Sequence, residues 1–310
     1  VGGSTDHPNF IEKYGYGSVI SFPSTLRTYV TIHQDVFGSN SLDHNYHLNY
    51  SRRETVKKIE EIENELLRFC FEYLRVDTIN CSLTSDIFSV GSGLAASSSY
   101  LQALVKAIYV MRGENITEFE VCKTAEIIEK NFNPLVGQQD FYGSMGGLKR
   151  INFSRNNDPT IKYLNTNIFK DLDIFLVYTG VLRNSTQVLE SLDISKSYTL
   201  LDDVRELEDA IISSDIDLFG EVINRSWENK KQTSPLICDN DHLKQLDNRL
   251  KNDPKVLAHK LCGAGNGGYF LVFTKKADKF DCQSYNMMKP IGISETGLKY
   301  INLKNEFTKI

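Results

Sequence analysis

Gly91-Ser92-Gly93-Leu94-Ala95-Ala96-Ser97-Ser98-Ser99 is a glycine loop that runs into small residues at the head of an apolar-periodic segment. Phosphates need many oriented donors and a close approach of backbone. A glycine loop feeding a helix N-terminus supplies both, through unpaired N–H groups and the positive end of the helix dipole. Small side chains leave room for the phosphate oxygens, and a first-turn serine hydroxyl could reach a Mg²⁺ ion bridging them. An ordinary turn with a serine cap would use the same residues. No G-K-[ST] follows the glycines, so the loop is not of the Walker A type. A second cluster, Gly263-Ala264-Gly265-Asn266-Gly267-Gly268, satisfies G-x-G-x-x-G. The run Tyr269-Phe270-Leu271-Val272-Phe273 behind it reads as a strand, where a dinucleotide fingerprint needs a helix. A tight turn between strands, open to a ligand or a neighbouring loop, is expected there. Gly2-Gly3-Ser4-Thr5-Asp6 places a carboxylate by a turn, in a geometry that grips sugar hydroxyls and serves an Asx-turn equally well.

These residues must be positioned by elements that the pattern predicts. Gly17 to His33 is rich in Val, Ile, Thr, Tyr and Phe and reads as strands joined in a hairpin or meander. Ser51-Arg52-Arg53-Glu54 looks like a capping box, and Val56, Ile59, Ile62, Leu66, Cys70 and Tyr73 follow at helical spacing, predicting one long helix to about Leu74. Ile79, Cys81 and Leu83 alternate with polar residues as a half-buried strand that leads into the glycine loop. The helix after it carries the stripe Leu101, Leu104, Val105, Ile108 and Met111. Thr117-Glu118-Phe119-Glu120 caps another helix, through Val121, Ala125, Ile128 and Phe132, which stops before Pro134. A turn at Arg155 to Pro159 suggests a division into residues 1–157 and 158–310. Beyond it come a buried strand at Leu172 to Tyr178 and helices at Leu200 to Ile212 and Leu218 to Trp227. The chain closes with a strand at Gly268 to Phe273, a helix near Asp278 to Met287 and a last strand near Leu298 to Leu303. The fold class expected is α+β, two domains sharing a cleft.

Thirty-five Lys plus Arg against forty Asp plus Glu give a net charge of −5, with no basic run, so neither a nucleic-acid binder nor a membrane-surface protein is indicated. The longest apolar stretch, from Ile174 towards Leu182, falls short of the roughly 18 to 20 residues that span a bilayer. The six cysteines are scattered singly, as expected of reduced thiols in a cytoplasmic protein, and the six histidines show no metal-ligand spacing. The chain opens at Val1 without a Met or a signal-like segment, and a stretch upstream is expected.

Taken together, the motifs resemble those of the GHMP kinases. Gly2-Gly3-Ser4-Thr5-Asp6 is similar to their first motif, Gly91 to Ser98 to the second, phosphate-binding one, and Cys262 to Gly268 to the third, in the family's order and across nearly the whole chain. Val136-Gly137-Gln138-Gln139-Asp140 and Tyr178-Thr179-Gly180-Val181-Leu182-Arg183 look most like the D-glycero-D-manno-heptose 7-phosphate kinases. The resemblance implies an N-terminal lobe like ribosomal protein S5 domain 2, a C-terminal ferredoxin-like lobe, and ATP-dependent phosphorylation of a sugar hydroxyl with Mg²⁺. For site residues it implies Asp140 as base or orienter of the nucleophile and Gly91, Ser92, Gly93, Leu94, Ala95, Ala96, Ser97 and Ser98 around ATP. Gly3, Ser4, Thr5, Asp6, Arg183 and Gly265 would meet the substrate, with Lys260 a weaker phosphate contact. Ser97 and an acid on the helix before the catalytic loop would hold the metal. Glu129, eleven residues before Asp140 on the edge of the apolar stripe, is that acid, with Glu126 as the fallback. The family's usual Gly-Ser before the metal-binding serine is Ala95-Ala96 here, which removes one hydroxyl from the phosphate site. The acceptor implied is heptose 7-phosphate at its anomeric hydroxyl. A fucose or galactose kinase and a catalytically silent nucleotide- and sugar-binding regulator are the alternatives. Oligomeric state is not legible.

Overall fold

The computed structural model describes residues 1–34, 45–87, 91–182, 185–285 and 288–303. The first motif leads into α1 (Pro8–Tyr14), started by His7, and then β1 (Tyr16–Ser21). There follow β2 (Thr28–His33), β3 (Tyr46–Asn49), β4 (Arg53–Val56), α2 (Glu65–Leu74) and β5 (Asn80–Ser85). The glycine loop then opens α3 (Ala96–Met111), followed by α4 (Glu118–Glu129) and the short α5 (Gln139–Tyr142). The strands β6 (Lys149–Ser154) and β7 (Asn157–Tyr163) form a hairpin. The remainder is β8 (Leu172–Tyr178), α6 (Ser185–Glu190), α7 (Leu200–Ser213), α8 (Ile216–Gln232), α9 (Asp241–Asn252), β9 (Val256–Leu261), β10 (Tyr269–Lys275) and β11 (Met288–Ile291). No described helix is long and apolar enough to cross a membrane.

Three sheets result, ordered β2-β5-β3-β4, β1-β6-β7 and β11-β8-β10-β9. In the last, every pairing is antiparallel and the strands stand in the order fourth, first, third, second, the ferredoxin-like arrangement. Leu67, Phe71, Leu101, Leu104, Ile108, Val121 and Ile128 pack α2, α3 and α4 over the first sheet through Cys81 and Leu83. Trp227, Leu243 and Leu250 cover the C-terminal sheet. A further cluster joins Ile20 and Leu148 to Val204, Leu207, Ile211, Phe219 and Phe273, so it belongs to both halves of the chain.

The structure corrects several expectations. The Ser51 to Glu54 segment does not start a helix: Arg53–Val56 is β4, paired with β3, and Glu54 accepts from Tyr50 Oη at 2.9 Å and Glu63 N at 2.7 Å instead of capping. The helix begins only at Glu65, where the Asn64 side chain accepts from Leu67 N. β1 and β2 form no hairpin. β1 is buried on both faces and pairs with β6, whereas β2 alternates and pairs with β5. Asp278 to Met287 is not a helix. Its described part forms two 3-10 turns, broken where Lys279 turns left-handed and where Asp281 accepts from Gln283 N. Leu298 to Leu303 is not a strand over its described residues, because Leu298 N donates to the Glu118 side chain and Gly297 O accepts from Arg27. Apart from these corrections, residues 157 and 158, on either side of the expected division, both lie in β7.

Candidate active site

The backbone of the glycine loop takes a left-handed course at several positions. Gly91 and Gly93 have positive φ, Leu94 N donates to Ser92 Oγ at 3.2 Å, and Ala95, the N-cap of α3, is left-handed at φ 55°. The Ala95 methyl cannot accept a hydrogen bond to cap the helix, so the first N–H groups of a 16-residue helix are left to another acceptor. The third motif closes against this loop: a Cβ on Gly268 would lie 2.2 Å from Ser92 O. Only glycine allows that approach. Gly268 is clamped in turn by Thr179, whose N and Oγ1 both donate to Gly268 O at 2.9 Å, and by its own N–H donating to Val181 O at 3.0 Å.

In the first turn of α3, Ser97 is exposed and Ser98 is buried. Ser98 Oγ donates to Glu129 Oε2 at 2.9 Å, and Ser97 and Asn133 also hydrogen-bond that carboxylate. Glu129 is 3% exposed, and among the described residues no lysine or arginine pairs with it. Burial pushes its pKa up, and the donors from Ser98, Asn133 and Ser97 oppose the shift. A buried carboxylate beside an exposed hydroxyl, with hard oxygen donors and no resident cation, fits a Mg²⁺ ion that also takes phosphate oxygens. Glu126, one turn earlier, is already engaged: it accepts from Lys130 Nζ at 2.5 Å, Gln138 Nε2 at 2.8 Å and Tyr142 Oη at 3.2 Å. Among the described residues no group of three or more His, Cys, Asp or Glu gathers into a metal cage.

The first motif meets the loop that carries Asp140. Asp6 Oδ2 accepts from Gln139 N at 3.0 Å, and Oδ1 from Ser4 N at 3.1 Å. A Cβ on Gly137 would sit 2.0 Å from Asp6 Oδ2, so this glycine lets the two segments touch. Asp6 is 1% exposed. Burial raises its pKa, while the Gln139 N–H and the charge of Lys230 pull it down. Asp140 is half-buried in the first turn of α5, one residue past that contact. Its loop is braced from α3, where Gln102 Nε2 donates to Phe141 O at 3.0 Å and Gln102 Oε1 accepts from Ser144 Oγ at 2.6 Å. Lys149 Nζ adds bonds to Gly143 O at 3.0 Å and Gly147 O at 2.9 Å.

Other expected substrate contacts have different surroundings. The Thr5 hydroxyl donates to Gly2 O and Ser18 O at 2.8 Å and accepts from Ser18 N at 3.0 Å, so it fastens the motif to β1. Ser4 Oγ accepts from Lys230 Nζ, and Gly3 lies against the Gln139 side chain. Gly265 is buried, with Ile237 Cα 2.9 Å from where its Cβ would be, and it packs on the Pro235–Cys238 turn. Arg183 lies outside the described residues. His7, next to Asp6, is buried; its Nδ1 accepts from Asn9 N, and burial lowers its pKa. Sequence reasoning missed Gln102, Thr179 and Lys230. Gln102 and Thr179 stand in apolar runs, and Lys230 in a basic helix end that reads as solvated.

No family model matches the chain. It is 24% identical over 312 residues, 94% of this chain and 89% of the relative, to the D-glycero-alpha-D-manno-heptose 7-phosphate kinase of Campylobacter jejuni. Among solved structures it is similar to a D-glycero-D-manno-heptose 1-phosphate kinase from Bacteroides thetaiotaomicron, with TM-score 0.74 and 18% identity, covering 97% of this chain and 96% of that one. It is also similar to Lactococcus lactis galactokinase complexed with galactose, with TM-score 0.69 and 15% identity, covering 97% and 92%. The chain has the α+β fold of the GHMP kinases, and it resembles them over nearly its whole length.

Proposed function

We propose that the chain is an ATP-dependent phosphotransferase acting on a sugar phosphate, with heptose 7-phosphate phosphorylated at its anomeric hydroxyl as the reaction. The supporting observation is the meeting of two assemblies: an uncapped glycine-loop helix whose Ser97 and Ser98 lean on buried Glu129, and an Asp6–Gln139 contact that fixes Asp140 beside the first motif. The 24% identity to a heptose 7-phosphate kinase over 94% of the chain supports the acceptor.

In this reading, α3 N–H groups and the glycine-loop backbone hold the triphosphate. Ser97 and Glu129 would hold a Mg²⁺ ion, which when bound would supply charge neutralisation for the transferring phosphoryl group. The first motif positions the sugar against Asp140. Asp140 orients the anomeric hydroxyl and takes its proton as the O–Pγ bond forms and the Pγ–O bond to ADP breaks. Transfer of this kind depends on positioning and charge neutralisation more than on covalent chemistry at the protein.

The test is ADP release with Mg²⁺ and ATP across heptose 7-phosphate, mannose, fucose and galactose. Turnover with heptose 7-phosphate is expected. Turnover with a free sugar alone would move the acceptor to that class, and saturable ATP binding without turnover would identify a regulator. In Asp140→Ala, turnover should fall by at least about 10²-fold while ATP binding persists. Normal turnover in that variant would remove Asp140 from the chemistry.

A further inference from the structure

One ammonium group in the interior has no part in the chemistry above. In β6 the side chains of Lys149, Ile151 and Phe153 alternate inwards, and all three residues are fully buried. A lysine in a row of core positions is costly, because a charge taken out of water must be compensated. Among the described residues no carboxylate pairs with it. The compensation comes from backbone: Nζ donates to Gly143 O at 3.0 Å, to Gly147 O at 2.9 Å and to Met145 O. Three carbonyls thus take the three N–H groups of the ammonium, and all three lie on the segment that leaves the Asp140 turn.

That segment, Gly143-Ser144-Met145-Gly146-Gly147, carries three glycines in five residues. A Cβ on Gly143 would lie 2.5 Å from Gln139 O and one on Gly146 2.4 Å from Glu295 O, while Gly147 turns left-handed at φ 79°. Glycine permits these approaches and fixes nothing. The ammonium supplies the fixing. Asp6 accepts from Gln139 N at the start of α5, and Lys149 grips the O of Gly143, whose N–H closes the turn on Gln139 O at 2.8 Å. Asp140 lies between the two grips. Gly147 is held through its O by the ammonium and through its N–H by Ser294 O at 2.8 Å. Burial brings the Lys149 pKa down to about 8, opposed by Glu118 and Cys122 of α4. Glu118 Oε1 accepts from Leu298 N at 2.8 Å, and Cys122 Sγ donates to Phe141 O at 3.3 Å. Tyr163 stands opposite Lys149 on β7, and the Glu295 carboxylate lies beside Gly147.

We propose that Lys149 is a positioning residue, a built-in cation for the loop carbonyls that holds the turn presenting Asp140. The proposal rests on the kinase reading for the role of Asp140. Loss of the proton leaves an amine with two N–H groups for three carbonyls, so one buried oxygen loses its donor and the segment loosens. The loosening is local. Between about 8 and 10.5 the unfolded chain binds the proton that the folded chain has lost, so this titration by itself adds stability to the folded state. A loss of turnover there without a lower melting temperature separates positioning from unfolding.

The experiment takes the whole chain and Lys149→Met through about pH 8. It measures kcat and the KM for ATP with heptose 7-phosphate, the melting temperature, and hydrogen exchange of residues 139–147 corrected for the intrinsic effect of pH. In the whole chain kcat should fall through about pH 8 towards that of the variant, with a steady KM for ATP, as exchange in 139–147 quickens. Lys149→Met should lose about 10-fold to 100-fold of kcat at neutral pH, exchange this segment fast at every pH, and show no step near 8. If the variant fails to fold, the pH series on the whole chain carries the test. Flat kcat and flat exchange through that range would overturn the proposal. So would a variant with normal turnover, a loss that falls on the KM for ATP, or exchange that rises evenly over the chain. Exchange in 139–147 that quickens near pH 8 and loses that step in Lys149→Met, in a chain that never releases ADP, would end the kinase reading and leave the caged cation standing.

Discussion

Glu129 is the residue where function and stability pull in opposite directions. Its pKa is raised in the folded chain, so between the ordinary carboxylate value and the raised one the folded state binds more protons than the unfolded state. Stability without metal should therefore fall as pH rises through that window, because the ionised carboxylate is buried without a cation. A Mg²⁺ ion held there, as proposed, would reverse the balance. The apparent affinity for Mg²⁺ should weaken as pH falls through the raised pKa, at a higher pH than an exposed glutamate would show. Glu129→Gln should abolish Mg²⁺-dependent turnover and raise the stability of the metal-free chain by roughly 1 kcal/mol, read as a higher melting temperature. A variant that lost stability and kept turnover would remove Glu129 from the metal site. Ala95 makes a second test of this kind. It occupies a left-handed conformation that disfavours a Cβ, so Ala95→Gly should stabilise the chain by about 0.5 to 1 kcal/mol, measured by chemical denaturation. A loss of stability would show that the extra freedom glycine brings to the unfolded chain outweighs the strain relieved.

Among elements, α3 has two tasks in the proposed reaction: its uncapped N-terminus would hold the phosphates, and further along the helix Gln102 braces the loop of Asp140. Gln102→Leu would remove one of the donors to Phe141 O, which keeps the Ser144 hydroxyl at 2.7 Å, and would take from that hydroxyl its second partner, at a cost of about 0.5 to 1.5 kcal/mol. Because the same loop presents Asp140, kcat should fall more than the KM for ATP rises, and steady-state kinetics at saturating sugar would show this. Equal changes in both would mean that the brace matters only for folding. The helix itself was legible in the sequence, since its apolar stripe and the small residues at its head agree with the observed Ala96–Met111. So was α4, whose Thr117–Glu120 capping box is present. The Ser51 to Glu54 box was misleading because a Ser-x-x-Glu pattern carries no information about partners. Glu54 satisfied backbone and tyrosine donors across a sheet edge, and β3 claimed the strand. Local pattern likewise identified β1 and β2 as strands but could not assign them to different sheets, which depends on β5 and β6, far along the chain.

For the whole molecule, the sequence placed the three glycine motifs in order, and the structure brings the third against the second and the first against the Asp140 loop. Spacing could not reveal that Lys230, more than two hundred residues after the first motif, returns to it, because that contact is set by the packing of α8 on β9. The same long-range closure bears on whether the halves 1–157 and 158–310 are independent. A cut there would separate Asn157 from the rest of β7 and strip β7 from β6. It would expose Ile20 and Leu148, which pack with Val204, Leu207 and Phe219. It would also part Arg150 from Glu208, joined at 2.5 Å, and leave Glu208, a buried acid, with Lys162 alone at 2.6 Å. A core shared in this way couples the two halves, so unfolding should be one cooperative transition, with near-ultraviolet and far-ultraviolet circular dichroism melting together. Residues 1–157 and 158–310 expressed apart should lack native tertiary signal and regain it only on mixing. Two separate transitions, or fragments that fold alone, would show that the shared cluster is a docking surface between finished domains.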